Sequence, residues 1–134
     1  MNQNINSITI GYMAGMIDGE GGVYLLKVKR NKGFTRFVPR IEIFNTNKEA
    51  LAYLQKEFGC GRLYPNHRGN WLSKKPMWYL RILKLGEVHE VLKIVAPYLH
   101  IKKKKAELML KYSAKLTLLP AKTSEVKILG VYSK

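Results

Sequence analysis

The sequence predicts an α+β domain: an antiparallel four-stranded sheet with helices on one face. Three observations lead there. Segments of period-two alternation come in two adjacent pairs. Each pair is flanked by segments whose apolar residues recur at helical spacing. The resulting order is helix, two strands, helix, two strands, helix, helix, and two such hairpins form one sheet whose apolar face takes the helices. The 134 residues fit a single domain, 1–134, and a hydrophobic content of 46% suffices for a core.

Asn6 or Ser7 caps a helix that begins near Ile8 and runs through Asp18. Its residues are mostly apolar, so burial on most sides is expected, except along a line of small residues. Val23–Lys29 alternates as a strand, with Lys27 and Lys29 on one face and Leu26 and Val28 on the other. Gly21 and Gly22 can hold a bulge that exchanges these faces, which would bring Tyr24, Leu26 and Arg30 to the other side. Asn31–Gly33 is a turn signal, and Thr35–Asn45 is the second strand. There Ile41 and Ile43 oppose Arg36, Val38, Arg40, Glu42 and Phe44, and Pro39 marks an irregularity or an edge.

Asn47 caps a second helix, Lys48–Phe58, with Leu51, Leu54 and Phe58 on one stripe and Gly59, Cys60 and Gly61 closing it. Arg62–Tyr64 and Met77–Leu83 form the second hairpin around a polar loop, Pro65–Lys75. Gly86–Leu99 is a third helix interrupted by Pro97. After the basic run Lys102–Lys105 comes a fourth, about Ala106–Leu118, stopped by Pro120.

The charge balance sets the partner class. Lys and Arg number 24 against 9 Asp and Glu, a net charge of +15. So basic a chain implies a polyanion, with nucleic acid ahead of an anionic membrane, since neither a basic amphipathic helix nor a lipidation motif is present. The polar sheet face carries Lys27, Lys29, Arg36, Arg40, Arg62, Tyr64, Tyr79 and Arg81, with Glu42 among them and Asn66 at the strand end. A twisted ribbon of this kind can enter a DNA major groove, where Arg reads guanine, Lys holds phosphate, and Glu42 suits a cytosine amino group. The plain alternative is a solvated face. Cys60 is the only cysteine, which excludes an internal disulfide and a thiolate zinc site, and His67, His89 and His100 lack ligand spacing. No signal peptide or membrane-length apolar run is seen, so an intracellular protein is expected.

One stretch concentrates the chemistry: Tyr12–Gly22, YMAGMIDGEGG. Gly11 and Gly15 stand four apart with Ala14 beside them, which lets a second backbone approach closely, either another helix or the chain's own sheet. Asp18 and Glu20 sit at the helix C-terminus, where the helix dipole disfavours carboxylates. A hard divalent cation held by carboxylate and carbonyl oxygens would justify them, and so would pairing with nearby lysines.

Residues Met13–Gly21 resemble the motif of the LAGLIDADG homing endonucleases: Ala14, Gly15, Ile17, Asp18 and Gly21 fit its consensus letters. The element order is similar too, over about Ile8 to Leu118, leaving a short tail, 121–134. Pro97–Lys104 is similar to the family's lysine-bearing segment. The resemblance implies an αββαββα fold with a saddle-shaped sheet seated on the major groove. It implies a homodimer packed through the motif helices, with Gly11, Ala14 and Gly15 in the seam and Asp18 tying the helix ends. It assigns Glu20 as the ligand of Mg²⁺ or another divalent cation, with the Gly19 carbonyl as a second. Asn47 would orient water and Lys102 would lie near the scissile phosphate, with basic support coming from Lys48 or Lys104, or missing. Leu51 departs from the pattern, since some relatives carry a basic residue there.

These features together imply a site-specific, metal-dependent, homodimeric double-strand DNA endonuclease of the intron-encoded kind. It would cut a long pseudo-palindromic site inside an organelle (mitochondrion or chloroplast) or a prokaryotic cytoplasm. The competing expectation is a catalytically weak relative that binds DNA or assists its own intron RNA as a maturase. A ribosomal-type structural protein would explain the charge but not the acids.

Overall fold

The structure is a computed structural model, and it describes residues 1–29, 35–66, 76–112 and 131–133. Helix α1 (Ser7–Glu20) leads directly into β1 (Gly21–Lys29), which pairs antiparallel with β2 (Thr35–Asn45). Helix α2 (Lys48–Phe58) follows, then β3 (Arg62–Asn66), β4 (Met77–Ile82), α3 (Leu85–Val95), a 3₁₀ turn (Ala96–Tyr98), α4 (Lys103–Tyr112) and a short β5 (Val131–Ser133). The expected four antiparallel strands are all present, in the order β3-β4-β2-β1. The tail adds a fifth, β5, which pairs parallel with β1 along its outer edge. The Asn31–Gly33 turn, most of the Pro65–Lys75 loop, Arg30, the end of the fourth helix and Pro120 lie outside the described residues.

Local chemistry explains the element ends. Asn6 Oδ1 accepts from the Thr9 N–H at 2.8 Å, and Asn47 Oδ1 accepts from the Ala50 N–H at 3.1 Å, so each asparagine satisfies an orphan donor of the helix it opens. Gly59 closes α2 with φ +69°, a left-handed conformation that suits glycine, and its N–H donates to the Gln55 carbonyl. Asn2 reaches back to the same helix end, its Nδ2 donating to the Lys56 and Glu57 carbonyls. Pro39 sits beyond the part of β2 that pairs with β4, so its missing donor breaks no ladder there.

Gly21 makes the helix-to-strand junction possible. No turn separates α1 from β1, and a Cβ at position 21 would overlap the Glu42 carbonyl and crowd Ile43. The motif therefore ends on a glycine because β2 occupies the space of a side chain. Helix α1 also runs two residues further than expected, through Glu20.

The core lies between the sheet and the helices. Val23 and Leu25 of β1, Ile41 and Ile43 of β2, and Leu80 and Ile82 of β4 meet Met13, Ala14 and Ile17 of α1. Leu51, Leu54 and Phe58 of α2 and Val88, Val91, Leu92 and Val95 of α3 complete it, with Ala106 and Met109 of α4. Burying a Leu, Ile, Val, Met or Phe side chain contributes roughly 1.5–3 kcal/mol, which makes this layer the main source of stability.

The register settles which β1 residues share the polar face. Tyr24 pairs with Arg40 and Leu26 with Val38, opposite in parity to the buried Val23 and Leu25. Lys27 follows the parity of Val23 and Leu25, so its expected place on the polar face is corrected: it stands on the helix side, at the far end of β1.

Candidate functional site

Two features define the site: the end of α1 and the open face of the sheet.

At the α1 terminus, Asp18 and Lys102 lock the helix to the segment before α4. The Asp18 carboxylate accepts from the His100 N–H at 2.7 Å and from the Lys102 N–H at 3.0 Å. The Lys102 ammonium donates in turn to the Ile17 carbonyl at 3.0 Å and the Asp18 carbonyl at 2.7 Å. A cation over the last carbonyls complements the negative end of the helix dipole. Desolvation pushes the Asp18 carboxyl up, but the backbone donors of His100, Lys102 and Ile101 and the Lys102 charge outweigh it, so its pKa lies below the usual value. Burial lowers the Lys102 pKa, Asp18 pulls it back up, and Lys105 lowers it further.

Glu20 differs from Asp18. It is exposed at the last helical position, and no hydrogen bond or ion pair holds it among the described residues. Gly19 beside it is exposed, with open space where a Cβ would stand. Helix-terminal carbonyls and a carboxylate are the oxygen donors a hard divalent cation prefers, so the donor chemistry fits the expected metal. Among the described residues, no group of three His, Cys, Asp or Glu side chains able to hold an ion is found.

The small residues of α1 divide between its two sides. Gly11 and Gly15 are exposed with nothing near a would-be Cβ, and they share the outer side with Ile8 and Tyr12, which are 82% and 43% exposed. Ala14 is 1% exposed and belongs to the monomer core, which corrects its expected place in an intersubunit seam. Burial of α1 is confined to the side of Thr9, Met13, Ala14 and Ile17, narrower than expected; the open outer side follows the line of small residues set apart in the sequence and extends to Ile8 and Tyr12.

On the sheet face, Glu42 is the centre of a charged cluster. Its Oε1 lies 2.9 Å from Arg40 Nη1 and 3.3 Å from Arg81 Nε, and the residue is only 7% exposed. Arg81 sits over the rings of Tyr79 and Tyr64, at 4.5 and 5.4 Å from their centroids, and Tyr79 meets Phe44 edge to face. Tyr24, Leu26, Arg40, Glu42 and Phe44 line an adjacent hollow of about 380 Å³. The sequence offers Glu42 as an outward acceptor for cytosine; in the fold its carboxylate is flanked by two arginines. Strand parity shows which residues share this face but not that Glu42 turns into it, because Arg81 comes from another strand.

The remaining expected contacts lie as follows. Arg62 is exposed opposite Arg81, Tyr64 pairs with Tyr79, and Asn66 pairs with Met77 at the end of β3. Lys29 and Arg36 lie in the β1–β2 ladder, opposite Thr35 and Val28. Lys104 is exposed in the first turn of α4. Asn47 is exposed, with its side-chain oxygen engaged as the α2 cap. Leu51 is fully buried, and the Lys48 ammonium sits 4.4 Å from the Trp78 ring centroid. No helix among the described residues is long and apolar enough to cross a membrane.

Comparison with solved structures places the fold. The homing endonuclease I-CvuI, solved with its target in the presence of calcium, superposes with a TM-score of 0.70 at 22% identity, over 83% of this chain and 69% of that one. The archaeal intron-encoded homing endonuclease I-Vdi141I, complexed with DNA, gives 0.67 at 19% identity over 80% and 67%. The LAGLIDADG homing endonuclease I-GzeII, in complex with a DNA target, gives 0.64 at 20% identity over 93% of this chain and 40% of that one. This chain has the fold of the LAGLIDADG homing endonucleases. No family model matches the sequence, and no curated protein matches it.

Proposed function

We propose that the chain is a homodimeric, divalent-metal-dependent endonuclease that cuts both strands of duplex DNA at a specific, nearly palindromic site. The observation that carries this reading is the contrast at the end of α1. Asp18 is bound by backbone donors and Lys102 binds the helix carbonyls, while Glu20 next to them stays exposed. An exposed acid at the end of a helix that leads straight into a basic sheet, in a chain of net charge +15, has its natural partner in a cation that also meets phosphate. DNA-bound neighbours of the same fold support the partner.

Glu20 and the Gly19 carbonyl would hold the ion, which when bound would neutralise the scissile phosphate and activate a water. Lys102 holds the helix end through the Ile17 and Asp18 carbonyls, and its ammonium would supply positive charge to the same terminus. Asn47 serves the second-helix cap, and a share in orienting water would fall to the rest of its amide. Arg40, Arg62 and Arg81, with Tyr64, Asn66 and Tyr79, would contact the groove, with Lys104 reaching phosphate.

The dimer follows from α1. Exposed glycines in a helix cost about 1 kcal/mol each relative to alanine, so Gly11 and Gly15 are poor choices unless another backbone must come close. A second copy's α1 would cover Ile8 and Tyr12 and bring a second Glu20 to the same place, giving one acid per DNA strand.

The test uses a pool of duplexes with a randomised central region. The wild type should enrich and cut a subset in Mg²⁺ and leave it intact in EDTA. Glu20→Gln should bind the same duplexes with cleavage reduced at least 100-fold, the order expected for loss of an essential charge-stabilising group. Undiminished cleavage would remove Glu20 from the mechanism.

A second reading, a binding module for DNA or for intron RNA, draws on Leu51 and Lys48. Leu51 is a core residue and Lys48 is engaged by Trp78, so neither supplies a free basic group beside the acid. That reading predicts tight, salt-dependent binding without metal-dependent cutting.

A further inference from the structure

The placement of Glu42 is unexpected for a surface that is to meet phosphate. The chain has 9 acids against 24 basic residues, yet one of those acids lies at the centre of the basic sheet face. A carboxylate there repels the polyanion, and enclosing it costs desolvation, which good geometry must offset. Its partners are specific. Glu42 Oε1 accepts from Nη1 of Arg40 on its own strand and forms an ion pair with Arg81 of the neighbouring strand, whose Nε lies 3.3 Å away and is buried with no hydrogen-bond partner among the described residues. The Arg81 guanidinium carbon also lies over the rings of Tyr79 and Tyr64. The ion pair and the two rings together restrict the Arg81 side chain. Its terminal nitrogens are the part that none of these contacts uses. A guanine presents O6 and N7 side by side in the major groove, and a fixed guanidinium matches that pair.

We propose that Glu42 is a positioning residue that holds Arg40 and Arg81 as a rigid pair for reading guanine, and that it therefore determines specificity without touching a base. This rests on the reading of the sheet face as a duplex-DNA surface. The carboxylate trades general affinity for discrimination: it lowers the local charge and prevents the two arginines from following any nearby phosphate. The hollow beside it, walled by Tyr24, Leu26 and Phe44, leaves room for a base edge to approach Arg40.

The experiment is selection by binding, without cleavage, from duplexes with a randomised central region, using wild type, Glu42→Gln, Arg81→Ala and the double variant. Wild type should enrich sites containing a guanine whose preference falls about 5- to 150-fold in Arg81→Ala, the worth of one bidentate pair. Glu42→Gln should lose preference at that same position while its affinity for unselected duplex stays equal or rises, because a negative charge has gone. In the Arg81→Ala background, Glu42→Gln should change that position no further, since the two act through one contact. A structural role alone would lower affinity for all duplexes together, and that outcome, or an unchanged preference, overturns the proposal. Should Glu42→Gln fail to fold, Glu42→Asp keeps the charge on a shorter arm, and unchanged guanine preference there overturns it equally. A wild type that enriches no sequence overturns the DNA reading and this role with it, whereas a wild type that selects a site indifferent to Glu42 overturns the positioning role alone.

Discussion

Lys102 and Asp18 hold each other twice: the Lys102 N–H binds the Asp18 carboxylate at 3.0 Å, and the Lys102 ammonium binds the Asp18 carbonyl at 2.7 Å. The acid and the base of this pair therefore both work on the end of α1, and Glu20 two residues on is supported by a terminus that cannot fray independently of the α3–α4 connection. Asp18→Asn keeps the shape but removes the charge from two backbone bonds. It should destabilise the fold by about 1–3 kcal/mol at pH 7, the range for hydrogen bonds to a charged group. The folded carboxyl titrates below its ordinary value of 3.8, so its contribution is complete above that value and is lost as pH falls through the folded value. Urea unfolding of wild type and Asp18→Asn at pH 7 and near pH 3 should show the difference between them shrinking at the lower pH; a constant difference would contradict the account.

Lys102→Met removes the ammonium that caps α1. Loss of a helix-terminal cation interaction should cost about 0.5–2 kcal/mol, readable by chemical denaturation. Under the endonuclease reading, cleavage of a selected duplex should fall by at least about 100-fold while binding stays within a few-fold. Parallel loss of binding and cleavage would mean that the lysine serves only to hold the helix end.

Much of this arrangement was legible in the sequence, because the rules behind it are local. Asn6, Asn47 and Gly59 mark helix ends through hydrogen bonds to residues three or four away, and Ile41, Ile43, Leu80 and Ile82 declare their buried face by alternation. The misreadings share a different cause. Ala14 lies next to Gly15 in an almost wholly apolar helix, where spacing cannot say which side meets the chain's own sheet. The face of Lys27 depends on α1 entering β1 with no turn, which requires the contact of Gly21 with β2. Glu42 binds Arg81 across a strand pair, and β5 reaches β1 from the far end of the chain. None of these long-range pairings leaves a mark in local pattern.

Gly15→Leu tests the outer side of α1. Nothing lies within 4 Å of a Cβ there, so the isolated chain should accept the side chain, and Gly15→Ala should raise monomer stability by about 1 kcal/mol through helix propensity. Under the dimer reading, sedimentation analysis should show Gly15→Leu as a monomer at concentrations where wild type is a dimer. A wild type that sediments as a clean monomer would remove the dimer from the model.

Gly21→Ala should act in the opposite way. Its Cβ would overlap the Glu42 carbonyl and crowd Ile43, both fixed by the β1–β2 ladder, so a loss of about 1–3 kcal/mol is expected from overpacking. Gly22→Ala meets only the ring end of Tyr24, which can swing aside, and should cost less. Denaturant midpoints for the two variants give the comparison, and equal costs would contradict the junction argument.

Cys60 provides a probe of the fold away from the site. The thiol lies 8% exposed in the turn between α2 and β3. Burial raises its pKa to about 11 from 9.0, Glu87 adds to the rise, and the N-terminal ammonium opposes it. Thiolate is the reactive species, so at pH 8 native Cys60 should react with a disulfide reagent about 100-fold or more slowly than in the urea-unfolded chain. The raised pKa also fixes the sign of the linkage. The folded state favours the neutral thiol, so this contribution is complete below the ordinary thiol range and is lost as pH rises through about 11. Comparing urea midpoints of wild type and Cys60→Ala at pH 8 and pH 10.5 isolates it, since other titrations cancel between the two proteins. The wild type should lose more stability than the variant over that interval. Rapid labelling at pH 8 would show that the α2–β3 turn opens readily in the native protein, and an equal loss in both would show that folding leaves the thiol's pKa unraised.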